Sequence, residues 1–259
     1  MSKSINSDEL GPLILNVKGV HKAFDDKEVL NGIDLEVYRG QIVALIGSSG
    51  SGKSTLLRSV NLLEEISDGQ ILLNDVDISD PRIDQDEIRR QIGLVFQAYN
   101  LFAHLSILEN ITLALRHVQG LTKDEAKTRA LSLLERIGLA DKANEYPDKL
   151  SGGQQQRTAI MRAVALNPTL LLLDEVTSAL DPELVSEVLE LIRDLKASGT
   201  SILMATHELS FARDVADWVV FLDGGVIIEE GPAKEFFSNP QKPRTIEFLQ
   251  RLRRRAGEQ

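Results

Sequence analysis

An α/β fold, with a parallel core interrupted by a helical insertion and joined by small antiparallel additions, is predicted by three observations. The run QIVALIG at 41–47 is apolar without alternation, as in a strand covered on both faces. TLLLLD (169–174), PELVSEVLELIRDLKASG (182–199) and SILMATH (201–207) read as buried strand, amphipathic helix and buried strand, which is a βαβ unit. Between these two regions, roughly residues 99–167, the periodicity is helical.

The elements follow in order. LILNVKGV (13–20) and EVLNGIDLEV (28–37) read as antiparallel strands, because Ile33, Leu35 and Val37 alternate with Asp34 and Glu36. KSTLLRSVNLL (53–63) has helical spacing. In the insertion, SILENITLALRHVQG and TKDEAKTRALSLLERIGL are helices. The second has Thr122 and Glu125 spaced as a capping box and Gly138 as its stop. A third helix opens at LSGGQQQR (150–157) and ends at Asn167-Pro168. Pro182 starts the helix of the βαβ unit. WVVFLDGGVIIEEG (218–231) reads as a tight hairpin turning at Asp223-Gly224, and FLQRLRRR (248–255) as a solvated helix. The expected organisation is a single unit over 1–259. It comprises a core with antiparallel β subdomain over approximately 13–98 and 168–240, a helical subdomain over approximately 99–167, and a tail over approximately 241–259.

Bulk properties exclude several classes. A chain of 259 residues can bury a sizeable core. The net charge of −10 argues against general nucleic-acid binding, which needs cationic contacts to phosphates. Without cysteine there are no disulfides or thiolate metal sites. No apolar run approaches the ~20 residues that span a bilayer. The N-terminus carries Asp8 and Glu9 and lacks an apolar signal core, so a cytoplasmic chain is expected.

The chemistry concentrates in a few stretches. GSSGSGKS (47–54) fits G-x-x-x-x-G-K-[ST] and lies between an expected strand and helix. Gly47, Gly50 and Gly52 let the backbone curl so that amides face phosphate oxygens. Lys53 would neutralise the β- and γ-phosphates, and the Ser54 hydroxyl would ligate Mg²⁺. Asp174 ends a buried strand, where an uncompensated carboxylate is costly, and sharing a Mg²⁺ with Ser54 through water removes that cost. Glu175 follows as candidate general base. His207 ends the next core strand, and Gln97 closes IGLVFQ; both should reach the same edge. At 150–154, Ser151 and Gln154 are spaced as a capping box, which leaves Gly152 and Gly153 unexplained. A helix N-terminus favours anions, so an approaching ligand would account for them.

Taken together, these pieces resemble the nucleotide-binding subunit of an ATP-binding cassette (ABC) transporter, over nearly the whole chain and with the motifs in family order. These are Walker A GSSGSGKS, Q-loop Gln97, signature LSGGQ, Walker B LLLLD with Glu175, D-loop SALD and H-loop His207. The resemblance implies a P-loop NTPase (RecA-like) core, with ATP and Mg²⁺ as cofactors. It implies that Phe24 stacks on adenine, and that Val29, Ser48, Ser49, Gly50, Ser51, Gly52, Lys53, Ser54 and Thr55 line one ATP. It implies that Ser54, Gln97 and Asp174 serve the metal. Ser151, Gly153 and Gln154 would contact ATP held by a second copy, in a head-to-tail dimer with two ATP molecules between chains, and Gly152 and Asp181 are further nucleotide-binding residues.

Finer resemblance, in VFQAYNLFAHLSILENIT (95–112), DPELVSEVLELIRDL (181–195), ATHELSFARDVADWVVFLDGGVIIEEG (205–231) and EFFSNPQKPRTIEFL (235–249), is to bacterial importers of polar amino acids. It implies separate permease subunits, an indirect periplasmic binding protein, and a peripheral position on the cytoplasmic face of the inner membrane. It also implies that a permease helix docks near Tyr99, Leu101, Phe102 and Leu105. The chain ends too early for the regulatory domain some importers append. Val176 and Ala103 stand where the family usually has proline. Glutamine, glutamate, histidine, arginine or an opine-like derivative all remain open as cargo. The alternatives are an exporter or lipoprotein-release ATPase and a DNA-associated ATPase head, which would need a long coiled coil before the signature. A simple P-loop kinase would lack the signature and D-loop.

Overall fold

The computed structural model describes residues 11–255; the N-terminal reading at Asp8 and Glu9 lies outside them. The chain opens with two long antiparallel strands, β1 (Leu13–Phe24) and β2 (Lys27–Tyr38), paired along their length. The core strand β3 (Ile42–Gly47) and helix α1 (Lys53–Val60) follow. The helix stops earlier than its spacing suggests. Asn61 is buried and donates from its side chain to the Ile92 carbonyl at 3.2 Å, and Leu62 turns left-handed at φ 58°.

The segment after α1 contains β4 (Asp68–Leu73), the short β5 (Val76–Asp77), α2 (Gln85–Gln91) and β6 (Ile92–Val95). The insertion holds α3 (Ile107–His117), α4 (Lys123–Arg136) and α5 (Gly152–Val164). Each of these three helices begins with a complete capping box: Ser106 with Glu109, Thr122 with Glu125, and Ser151 with Gln154. Gly138 follows α4 with φ 66°, the left-handed residue expected at its stop.

The βαβ unit is β7 (Leu170–Asp174), α6 (Pro182–Ala197) and β8 (Ile202–Ala205), with the strands adjacent and parallel. Then come α7 (Leu209–Val215), the hairpin β9 (Trp218–Asp223) and β10 (Val226–Pro232), α8 (Ala233–Ser238) and α9 (Pro243–Arg255).

Two sheets result. One is antiparallel, in the order β2-β1-β4-β5; the other has six strands in the order β10-β9-β3-β8-β7-β6 and is parallel except at β10. The second separates two hydrophobic cores, and its strands serve both. Ile42, Ala44 and Ile46 point into the core shared with the helical insertion, while Val43 and Leu45 point into the core shared with the antiparallel sheet. Leu171 and Leu173 divide from Leu170 and Leu172 in the same way. This is why these strands show no polar alternation.

Two further expectations are corrected. The hairpin turns at Gly224-Gly225, because Asp223 is paired with Val226, and both glycines have positive φ (59° and 82°), which this tight turn requires. The last helix is amphipathic rather than solvated all round. Leu249 is buried in the core and the Phe248 ring stacks on Phe221 at 4.6 Å.

Candidate active site

Parallel pairing brings the strand ends to one edge. Leu45 of β3 and Asp174 of β7 both lie opposite Ala205 of β8, and Val95 of β6 lies opposite Leu173. The segment after β3, the end of β7 and the residues just past β8 and β6 therefore share the carboxyl edge of the sheet, where open α/β sheets hold ligands.

The 47–54 loop is built by close backbone approaches. A Cβ on Gly47 would fall 2.2 Å from the Leu222 carbonyl oxygen. One on Gly52, at φ 106°, would lie 2.9 Å from that of Val29. Around Gly50 (φ 77°) the space is open. Ser48, Ser49 and Gly50 are exposed, Ser51 and Gly52 are buried, and Ser54 and Thr55 are half-buried. The buried Ser51 hydroxyl has no partner among the described residues.

Lys53 is buried, and its ammonium donates to the carbonyls of Gly47 and Ser48, each at 3.1 Å. Burial lowers its pKa, opposed by Glu175, whose carboxylate lies 3.5 Å away. Ser54 donates to Asp174 at 2.7 Å. Burial pushes the Asp174 carboxyl above its ordinary value, opposed by that hydrogen bond. His207 Nε2 stands 2.9 Å from Glu175 Oε1. Lys53, Ser54, Asp174, Glu175 and His207 thus form one connected cluster.

Glu175 itself has a left-handed backbone, φ 49°. Its amide donates to Ala205, and its carbonyl accepts from the Ser178 amide and hydroxyl at 3.0 and 2.8 Å. Those bonds hold a conformation that L-residues disfavour, as functional sites often do.

The other residues named from sequence lie apart from this cluster. Gln97 is exposed two residues beyond β6, and its side chain makes no hydrogen bond among the described residues. Phe24 is 42% exposed at the tip of β1, with the Lys22 ammonium 4.6 Å from its ring centroid. Val29 is half-buried, its carbonyl against Gly52 and Gly225. Asp181 is exposed at the start of α6.

Ser151 is exposed and Gln154 half-buried at the start of α5. The glycines between them have an intrachain reason that the sequence does not show. A Cβ on Gly153 would fall 3.1 Å from Leu184 Cβ, and one on Gly152 2.6 Å from the Tyr99 hydroxyl. Sequence reasoning also missed Asp223, which accepts from the Ser48 hydroxyl at 3.1 Å, and Arg244, which donates to Asp223 at 2.6 Å. The signal was the aspartate of FLDGG, which reads as turn chemistry when the phosphate loop is not in view.

Comparison with known proteins identifies the family. The family model described as ABC transporter matches residues 30–178. The glutamine transport ATP-binding protein GlnQ of Geobacillus stearothermophilus is 49% identical over 233 residues, covering 90% of this chain and 96% of that protein. The L-cystine transport system ATP-binding protein TcyN of Escherichia coli (strain K12) is 51% identical over 244 residues, covering 92% and 98%. Among solved structures, the dimeric post-hydrolysis state of the ATP-binding cassette MJ0796, bound to ADP and Pi, superimposes with a TM-score of 0.77 at 32% identity, covering 85% of this chain and 99% of that one. A glycine-rich loop between β3 and α1, a βαβ unit whose first strand runs into Asp174-Glu175 and a three-helix insertion, with relatives spanning nearly all of its length, make this chain a member of the ABC transporter family, as an ATP-binding subunit.

Proposed function

We propose that the chain is the ATP-hydrolysing subunit of an importer for a polar amino acid or a related derivative. It works as a pair of chains closed around two ATP molecules, on the cytoplasmic face of the membrane and against separate permease subunits. The observation that carries the reading is the cluster in which Lys53, Ser54, Asp174, Glu175 and His207 meet at one sheet edge. No helix of the described residues is long and apolar enough to cross a membrane.

The residues fit nucleotide and metal. The open space at Gly50, the Ser51 hydroxyl without a partner among the described residues, and the Lys53 ammonium held at the loop suit a triphosphate. Ser54 and Asp174 offer the hard oxygen donors that Mg²⁺ prefers. When bound, the metal would neutralise charge on the phosphates. Lys53 would exchange its carbonyl contacts for phosphate oxygens, and Phe24 would offer its exposed ring to adenine. Glu175 would take a proton from a water whose oxygen attacks the γ-phosphorus as the bond to ADP breaks. His207, whose Nε2 lies 2.9 Å from Glu175, would orient that carboxylate. Gln97, exposed just beyond β6 on the same edge, would serve the metal. Ser151, Gly152, Gly153, Gln154 and Asp181 would meet ATP held by the second copy.

GlnQ and TcyN carry different amino acids in their names yet are similarly close to this chain. The choice of cargo therefore belongs to the permease and a periplasmic binding protein. For docking, Phe102 is the favoured contact. It is 44% exposed, while Tyr99, Leu101 and Leu105 are half-buried. Asn110 brackets its backbone, accepting from the Phe102 amide at 2.8 Å and donating to its carbonyl at 3.1 Å. The test is reconstitution with the adjacent permease genes in vesicles. Amino acid uptake should require ATP, and Phe102→Ser should lose uptake and co-purification while keeping basal ATPase. ATP-driven export, or full uptake by a folded Phe102→Ser chain, would overturn these assignments.

A further inference from the structure

The last helix reaches the nucleotide site through a chain of charged groups. Ser48, in the phosphate loop, donates its hydroxyl to Asp223 Oδ1 at 3.1 Å. Arg244, in the first turn of α9, donates from Nε to Asp223 Oδ2 at 2.6 Å and from NH1 to Glu247 at 2.9 Å. Arg251 donates to the other oxygen of Glu247 at 2.8 Å. The helix is anchored for this task. Glu229 of β10 accepts from the amides of Gln241 and Lys242 just ahead of it, Leu249 is buried, and Phe248 stacks on Phe221. An aspartate touching a loop meant for a triphosphate would repel its ligand unless neutralised. Arg244 supplies that neutralisation, and its bond keeps the carboxylate turned toward Ser48. The Ser48 carbonyl, in turn, is one of the two that hold Lys53.

We infer that Arg244 is a positioning residue for ATP binding, acting through Asp223 on Ser48, so that α9 sets the affinity of the phosphate loop. The inference rests on the reading of 47–54 as the phosphate site. It is tested with the full chain, by equilibrium binding of Mg-ATP and by steady-state ATPase. Arg244→Ala should weaken ATP about fivefold or more, raising KM with kcat little changed, because the Asp223 carboxylate then faces the phosphates without its bonded guanidinium. Adding Asp223→Asn to Arg244→Ala should restore affinity to within about twofold of wild type, since the repelling charge is gone. Asp223→Asn alone, which keeps the size and hydrogen bonding of the side chain, should leave ATP binding equal or tighter. Wild-type affinity in Arg244→Ala, a loss that Asp223→Asn does not relieve, or weaker binding by Asp223→Asn alone would each overturn the inference. Should Arg244→Ala not fold, Arg244→Gln and the Asp223→Asn sign test decide it. A wild-type chain that binds no ATP would instead overturn the reading of the phosphate site.

Discussion

Glu175 faces the Lys53 ammonium at 3.5 Å and the His207 imidazole at 2.9 Å, on a backbone held left-handed by Ala205 and Ser178. Replacing it with glutamine keeps its size and much of its bonding but removes the base. Glu175→Gln should therefore lower steady-state hydrolysis by about a hundredfold or more, within the range of general base catalysis, while ATP affinity persists and a two-ATP dimer accumulates. Colorimetric phosphate release and size-exclusion with Mg-ATP check both outcomes; near wild-type turnover would assign the base elsewhere. Lys53, Ser54, Asp174 and Glu175 were legible from sequence because each is a costly polar group beside a buried strand or inside a glycine loop. The links from Ser48 to Asp223 and on to Arg244 were not, since they join residues 175 and 21 positions apart through chemistry that looks ordinary locally.

At the level of elements, the periodic segments were readable and the irregular ones were not. The strands β3, β7 and β8 and the helices α3 to α6 carry clear apolar patterns. β4, β5 and α2 do not: β5 is two residues long, and α2 buries only Ile88. The polar, arginine-rich composition of α9 concealed an apolar seam two residues wide. Phe248→Ala should lower stability by about 2 kcal/mol, as lost ring packing does, measured as a urea midpoint; an unchanged midpoint would return α9 to solvent. The same helix gives a pH signature. The Arg244 hydrogen bonds hold the Asp223 and Glu247 carboxyls below their ordinary values. Because folded pKa values below unfolded ones stabilise only above the unfolded pKa, their contribution is full at neutral pH. It is lost as pH falls below the ordinary carboxylate range of about 4. The gap in urea midpoint between wild type and Arg244→Ala should therefore be widest near pH 7 and close in acid, and a gap that widens in acid would contradict the assignment.

For the whole molecule, one copy holds a phosphate loop and a capped helix start that lie apart. The neighbours of the Gly152-Gly153 pair are Tyr99, Leu180 and Leu184, all outside the loop that holds Lys53. If the helix start serves ATP on a second copy, Ser151→Arg should keep nucleotide binding in isolated chains and abolish hydrolysis. Mixing it with Lys53→Ala chains should restore activity in part, because the heterodimer keeps one intact composite site; loss of binding in Ser151→Arg alone would place the motif on its own chain's nucleotide. The motif was legible as special in sequence, but half of its explanation was not, since Leu184 packs on Gly153 from another helix. The crowding around the phosphate loop carries a last consequence. At Gly47 and Gly52 an added carbon would meet main-chain oxygens of Leu222 and Val29, which no rotamer can vacate. Every missense change of a glycine codon adds at least that carbon. Every amino-acid replacement at these two positions therefore disturbs the loop, so genetic drift and a randomised library alike should return glycine at both among functional clones.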